Sequence, residues 1–134
     1  MENNELATNI INSFFCGATP FDLWSCCPNH MLWEAIKQAD AFTIAQQDIP
    51  TFLISHNDFF LLPEPLPAIY NGLTPEYAKI NCADLFAKHK TGIGELIIQE
   101  PMYIVDSEFR WMIVLTTENT QSATQLCVIV YAKS

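Results

Sequence analysis

The sequence predicts an α+β domain, with N-terminal helices packed on a C-terminal, mainly antiparallel β-meander. Three observations carry that expectation. The first half of the chain spaces its apolar residues at three and four, behind residues suited to capping helices. After Gly94 the pattern changes to short runs rich in β-branched and aromatic residues, joined by polar connections. The length, 134 residues of which half are hydrophobic, suits one domain spanning 1–134. A chain of that size buries roughly two thirds of its unfolded surface without staples.

The elements follow in order. In "NNELATNIINSFFCG", Leu6, Ile10, Ile11, Phe14 and Phe15 share a helical face, with Asn3 or Asn4 to cap the start and Gly17 to end it. In "TPFDLW", Thr19 is an N-cap, Pro20 the first helical residue and Asp22 the return partner of a capping box. A third helix is read in "PNHMLWEAIKQADAF", capped by Asn29, with Leu32, Trp33, Ile36 and Ala39 as its apolar stripe.

The middle of the chain reads differently. Two apolar runs flank "SHND" in "IPTFLISHNDFFLL", which predicts a hairpin. Pro63, Pro65 and Pro67 predict an ordered loop from Pro63 to Gly72. "TPEYAKINCADLFAKHKTG" then repeats the Thr-Pro helix start, with Tyr77, Ile80, Leu85 and Phe86 as apolar positions and Gly92 as the stop. Four strands are read after it: "ELIIQE", "MYIVD", "RWMIVLTT" and "LCVIVYA". "VDSEFR" is a hairpin connection and "ENTQSATQ" a longer one. Several strands are apolar on both faces, so helices are expected to cover one side of the sheet.

Charge narrows the function. Fifteen acidic residues face six basic ones, for a net charge of −9. Such a surface repels phosphate backbones and anionic headgroups, which excludes nucleic acid and membrane surfaces as expected partners. A cationic protein fits the sign. The N-terminal stretch "MENNELATNIINSFF" lacks the basic region and apolar run of a signal peptide, and the five cysteines are an odd number. A cytoplasmic location with reduced thiols is the expectation.

The chemical leads are few. Cys26, Cys27 and His30 fall within five residues in "LWSCCPNHMLWEAI". A tetrahedral zinc site wants about four ligands, commonly from spaced Cys-x-x-Cys or Cys/His pairs. Here the cysteines are adjacent, and Cys16, Cys82 and Cys127 stand alone. Pro28 also interrupts the helix that would align Cys26 with His30. Cys82 and His89 are seven apart in the fourth helix expected from the sequence, roughly 10 Å of rise, too far for a nucleophile–base hydrogen bond. "TGIGE" follows a helix and precedes a strand, the reverse of a phosphate-binding loop. No catalytic, cofactor or metal residue is therefore assigned, and the chain is read as non-enzymatic. The alternative is a small ligand-binding or thiol-dependent enzyme domain that uses the cysteines.

Acids cluster in the last third: Glu95, Glu100, Asp106, Glu108 and Glu118, with Arg110 as the one opposing charge among them. Exposed pairs contribute only about 0.2–1 kcal/mol each, so an acidic rim would speed association more than tighten it. Aromatic anchors would supply affinity, and Tyr103, Phe109 and Trp111 are the candidates. The competing reading makes Tyr103 and Trp111 core and the acids a solvated edge. The candidate partner-binding residues are Glu100, Tyr103, Asp106, Glu108, Phe109 and Glu118.

The segment "MYIVDSEFRWMIVLTTENTQSATQLCVIV" resembles the C-terminal part of small bacterial immunity-type proteins of polymorphic or contact-dependent growth-inhibition systems. The shared features are a strand, an acidic turn, a Trp-bearing strand ending in "LTTEN" and a final apolar strand. The resemblance covers about the last third. It implies a small, acidic, cytosolic protein without enzymatic activity, which binds and blocks a basic toxin domain; it carries over no particular residue. Homodimerisation through an apolar face is a further expectation.

Overall fold

A computed structural model describes residues 5–15, 18–37, 41–44, 48–54, 58–73, 75–81, 84, 102–117 and 125–132. Along these residues run five helices and six strands, three helices first and four strands last. They are α1 (Glu5–Phe14), α2 (Pro20–Ser25), α3 (Leu32–Lys37), β1 (Ala41–Thr43), α4 (Ile49–Ile54), β2 (Asp58–Leu62), α5 (Leu66–Tyr70), β3 (Ala78–Asn81), β4 (Met102–Asp106), β5 (Trp111–Thr117) and β6 (Gln125–Tyr131). The strands form one sheet in the order β1-β6-β5-β4-β2-β3, and every neighbouring pair is antiparallel. The fold is α+β.

The meander β4-β5-β6 is the centre of the sheet, and its strict alternation decides how the layers form. Tyr103, Val105, Met112, Val114 and Val130 point to one face, where they meet Leu6, Ile10 and Phe14 of α1, Leu23 of α2, Leu32 and Ile36 of α3 and Leu66 of α5. Ile104, Trp111, Ile113, Leu115, Cys127 and Ile129 point to the other, under Ile49 and Leu53 of α4. Because neighbouring residues on these strands all have somewhere apolar to go, the runs carry no polar face. Helices thus cover both sides of the sheet, not the single side expected.

Local chemistry accounts for the elements that follow the sequence pattern. Thr19 Oγ1 accepts from the Asp22 N–H at 3.1 Å, and Asp22 Oδ2 accepts from the Thr19 N–H at 3.1 Å, closing the capping box that starts α2. The β4–β5 hairpin closes with the Phe109 N–H donating to the Asp106 carbonyl at 2.9 Å. Phe109 adopts a left-handed φ of 57° there, an uncommon conformation for a bulky residue. Its ring packs on Phe60 at 5.8 Å, which offsets the local strain.

Four expectations are corrected. "IPTFLI" is the helix α4, not the first arm of a hairpin: Ile49 and Leu53, four apart, are both buried, and Pro50 sits in the first turn, where its missing N–H costs nothing. The predicted loop Pro63–Gly72 contains α5, because Pro65 falls at the N-cap and Pro67 in the first turn. Residues 78–81 are the edge strand β3 rather than helix; pairing with β2, Phe59 against Ile80 and Phe60 against Lys79, outweighs the helical spacing. α3 begins at Leu32, so Asn29 is not its cap, and β1 has no counterpart in the sequence reading. Residues 75–77, the expected start of the fourth helix, are not helical either; the rest of it, apart from Asp84, and the strand "ELIIQE" lie outside the described residues, as does the "ENTQSAT" connection.

Candidate functional site

The surface of α2 and α5 carries the most distinctive side-chain arrangement among the described residues. The Trp24 indole of α2 is the middle ring of a three-ring stack. His30 lies against it at a centroid distance of 3.9 Å and an interplanar angle of 9°, and Tyr70 of α5 at 4.3 Å and 24°. His30 and Tyr70 are exposed. Phe21, one turn before Trp24 on α2, is 64% exposed, and Leu73, just past α5, is 62% exposed. Solvent-facing aromatic and apolar groups are thus presented by two neighbouring helices.

The stack depends on a turn held open by the buried Glu34. His30 takes a left-handed φ of 58°. On either side of it, the N–H groups of Asn29 and Met31 donate to Glu34 Oε1 at 2.9 and 3.2 Å, and the Asn29 amide donates to Glu34 Oε2 at 3.3 Å. The His30 N–H donates to the Cys27 carbonyl at 2.9 Å, and the Cys27 N–H to the Trp24 carbonyl at 3.3 Å. These bonds fix the imidazole over the indole.

Beneath the turn lies a second carboxylate. Glu64 Oε1 and Oε2 accept from the Leu32 N–H at 3.1 and 3.0 Å, Oε2 accepts from the Leu66 N–H at 3.0 Å, and Oε1 accepts from the Tyr103 hydroxyl at 2.5 Å. The Trp33 N–H in turn donates to the Tyr103 oxygen at 2.9 Å. Leu32 and Leu66 are the first residues of α3 and α5. One carboxylate therefore caps two helices at once, where unpaired N–H groups and the positive dipole ends favour an anion. Burial nonetheless pushes the Glu64 carboxyl above its usual range. The Tyr103 hydroxyl and the two N–H donors oppose that rise, and the charge of Glu34 adds to it.

Those residues expected from sequence that are described lie elsewhere and do not form one surface. Tyr103 is fully buried and its hydroxyl is committed to Glu64, which removes it as an anchor. Trp111 is buried against α4, its ring 4.9 Å from that of Phe52. Asp106 is also buried, and Arg110 Nε holds its Oδ2 at 2.6 Å. Glu108 is exposed beside the same guanidinium at 3.4 Å, and Phe109 is half-buried against Phe60. The β4–β5 turn thus brings Asp106, Glu108 and Phe109 together, but Arg110 answers much of its charge locally. Glu100 and Glu118 lie outside the described residues.

Cys26 and Cys27 lie side by side at the end of α2. Cys26 Sγ donates to the Leu23 carbonyl at 3.4 Å and lies 3.9 Å from Cys27 Sγ. Burial, and then the neighbouring Cys26, push the Cys27 thiol up to about 12, so it stays protonated at neutral pH. Among the described residues no three His, Cys, Asp or Glu side chains are grouped so as to hold a metal. Cys82 and His89 lie outside the described residues. Nor is any described helix long and apolar enough to cross a membrane.

Sequence reading missed the aromatic stack because Tyr70 sits in the segment read as a loop, and because a ring stack has no spacing signature. One signal was present. Residues 18–36 and 58–77, which build this face, contain Asp22, Glu34, Asp58, Glu64 and Glu76 and neither Lys nor Arg. No known protein family, curated protein or solved structure matches the chain.

Proposed function

We propose that this protein is a binding module of the immunity type, which covers a cationic toxin domain in the cytoplasm and blocks it without turnover. One observation supports this reading above others: the His30–Trp24–Tyr70 stack stands at the surface of two segments that carry acids and neither Lys nor Arg. Aromatic rings preset in this way lose little freedom on binding, and Arg or Lys side chains seat well on ring faces. The net charge of −9 favours the approach of a basic partner. The docking face is thus assigned to α2 and α5 instead of the β4–β5 turn.

The test is binding of the purified chain to toxin-like C-terminal domains encoded beside it, measured by calorimetry and by protection of cells. Stoichiometric binding is expected. Trp24→Ala is expected to weaken it by about 2 kcal/mol or more, roughly thirtyfold in Kd, as hot-spot aromatics do. Glu76→Ala, an exposed acid of the second segment, is expected to change mainly the association rate. Absence of binding and protection would remove the proposal; equal affinity for the Trp24 variant would move the interface elsewhere.

A further inference from the structure

We infer that Cys26 and Cys27 form a modification site: a vicinal dithiol that a small-molecule disulfide converts to an eight-membered disulfide ring, unseating His30 from Trp24. The two sulfurs are already 3.9 Å apart. No competing pair is visible on this face among the described residues, since Cys127 belongs to the cluster on the opposite side of the sheet. Cys26 is half-buried and so is the sulfur an oxidant reaches; Cys27 is fully buried beside it.

The chemistry balances as two exchanges. The Cys26 thiolate attacks one sulfur of the oxidant, forming a mixed disulfide and releasing one thiol. The Cys27 thiolate then attacks Cys26 Sγ, closing the ring and releasing the second thiol. Two electrons pass from the protein to the oxidant, which leaves as two thiols. The second exchange is the slow one, because burial and Cys26 hold the Cys27 thiol at about 12. Neighbouring Cα atoms are about 3.8 Å apart, below the 4.4–6.8 Å span of ordinary disulfides. The ring is therefore strained and easily reduced, the property of a reversible site rather than a structural staple.

The consequence comes from where the pair sits. Cys26 and Cys27 are the C-terminal link of α2, between Trp24 and His30. The Cys27 backbone accepts from the His30 N–H and donates to Trp24, so the same residue joins both rings of the stack. Ring closure takes the Cys26 thiol from the Leu23 carbonyl and draws the Cys27 sulfur from the core. Both shifts act on the turn that holds His30 in its left-handed conformation. That oxidation would release a bound toxin rests on the proposed docking face; ring formation itself does not.

The experiment treats the full chain with excess glutathione disulfide and reads intact mass, peptide maps and quenching of tryptophan fluorescence, without a partner. The expected result is loss of two hydrogens, mapped to the peptide spanning Cys26 and Cys27 and reversed by dithiothreitol. Ring closure should quicken about tenfold per pH unit from pH 7 to 9, as the Cys27 thiolate fraction grows. Quenching should rise on oxidation in the parent chain and not in Trp24→Phe. Cys27→Ala should stop at a glutathione adduct on Cys26; if that variant unfolds, the peptide map of the parent chain still decides. A stable adduct on Cys26 in the parent chain, pairing of either cysteine with Cys16, Cys82 or Cys127, or no reaction would each overturn the inference. A ring that forms without a change in quenching would overturn its coupling to the stack.

Discussion

The two faces of the sheet are held by different forces. On the α4 face the described contacts are largely apolar: Ile49 and Leu53 cover Ile104, Ile113, Leu115 and Ile129, and Phe52 meets Trp111 edge-on. The opposite face has an apolar core of similar character, but it also encloses the Glu64 carboxylate and the Tyr103 hydroxyl. Helices of five or six residues are not stable alone. Apolar burial is non-directional, so it can hold such a helix down without fixing its angle. Hydrogen bonds from Leu32, Trp33 and Leu66 to one polar pair fix the starts of α3 and α5 against β4. The face that carries the aromatic stack is the one given this directional control.

The largest expected effect breaks that control. Glu64→Ala leaves the Leu32 N–H, the Leu66 N–H and the Tyr103 hydroxyl without their acceptor, and each such buried group costs about 1–3 kcal/mol. A loss of about 3–5 kcal/mol is expected in urea unfolding. A loss under 1 kcal/mol would mean that packing alone places α3 and α5.

Tyr103→Phe sharpens the comparison, because it keeps the ring in the core and removes only the oxygen. The Trp33 N–H loses its acceptor and Glu64 one donor, for an expected cost of about 2 kcal/mol. On the other face, Ile104→Val removes one methylene and no hydrogen bond, and about 1 kcal/mol is expected. The two should also differ in kind. Hydrogen exchange in α3 should quicken in Tyr103→Phe and stay unchanged in Ile104→Val. Faster exchange of α3 in both variants would show that the faces are not separately controlled.

What could be read beforehand divides along the same line. The capping box of α2 and the β4–β5 hairpin were legible, because their partners lie within a few residues and their residue types are specific. The meander was legible because strand period and short connections are local signals. α5 was not, since three prolines in five residues read as a breaker unless their positions in the first turn are known. β3 was not, since its partner β2 outbids its own helical spacing. The acid that organises the site could not be found by spacing: Glu64 meets Tyr103 across 39 residues. Tyr103 was open to both readings, anchor and core, and its full burial and its bond to Glu64 decide for core.

The smallest expected effect is in pH dependence, and it separates the half-buried Glu64 from the buried Asp106. Glu64 is raised in the folded chain, chiefly by burial, so the native state holds its proton more tightly than the unfolded state does. Its contribution to stability is fully present below the ordinary value of 4.5 and is lost as pH rises through the native value. For Asp106 burial also acts upward, but the bonds and charge of Arg110 outweigh it and leave the carboxyl below its ordinary 3.8. Its contribution is present above 3.8 and disappears as pH falls through the lower native value. Lowering pH from 7 toward 4.5 should therefore stabilise the parent chain through Glu64 before acid destabilises it through Asp106. Glu64→Gln, which cannot titrate, should remove the first trend and leave the second. Urea midpoints at half-unit steps measure both, and an unchanged slope above pH 4.5 in Glu64→Gln would show that the double cap of α3 and α5 does not set the acid side of the stability curve.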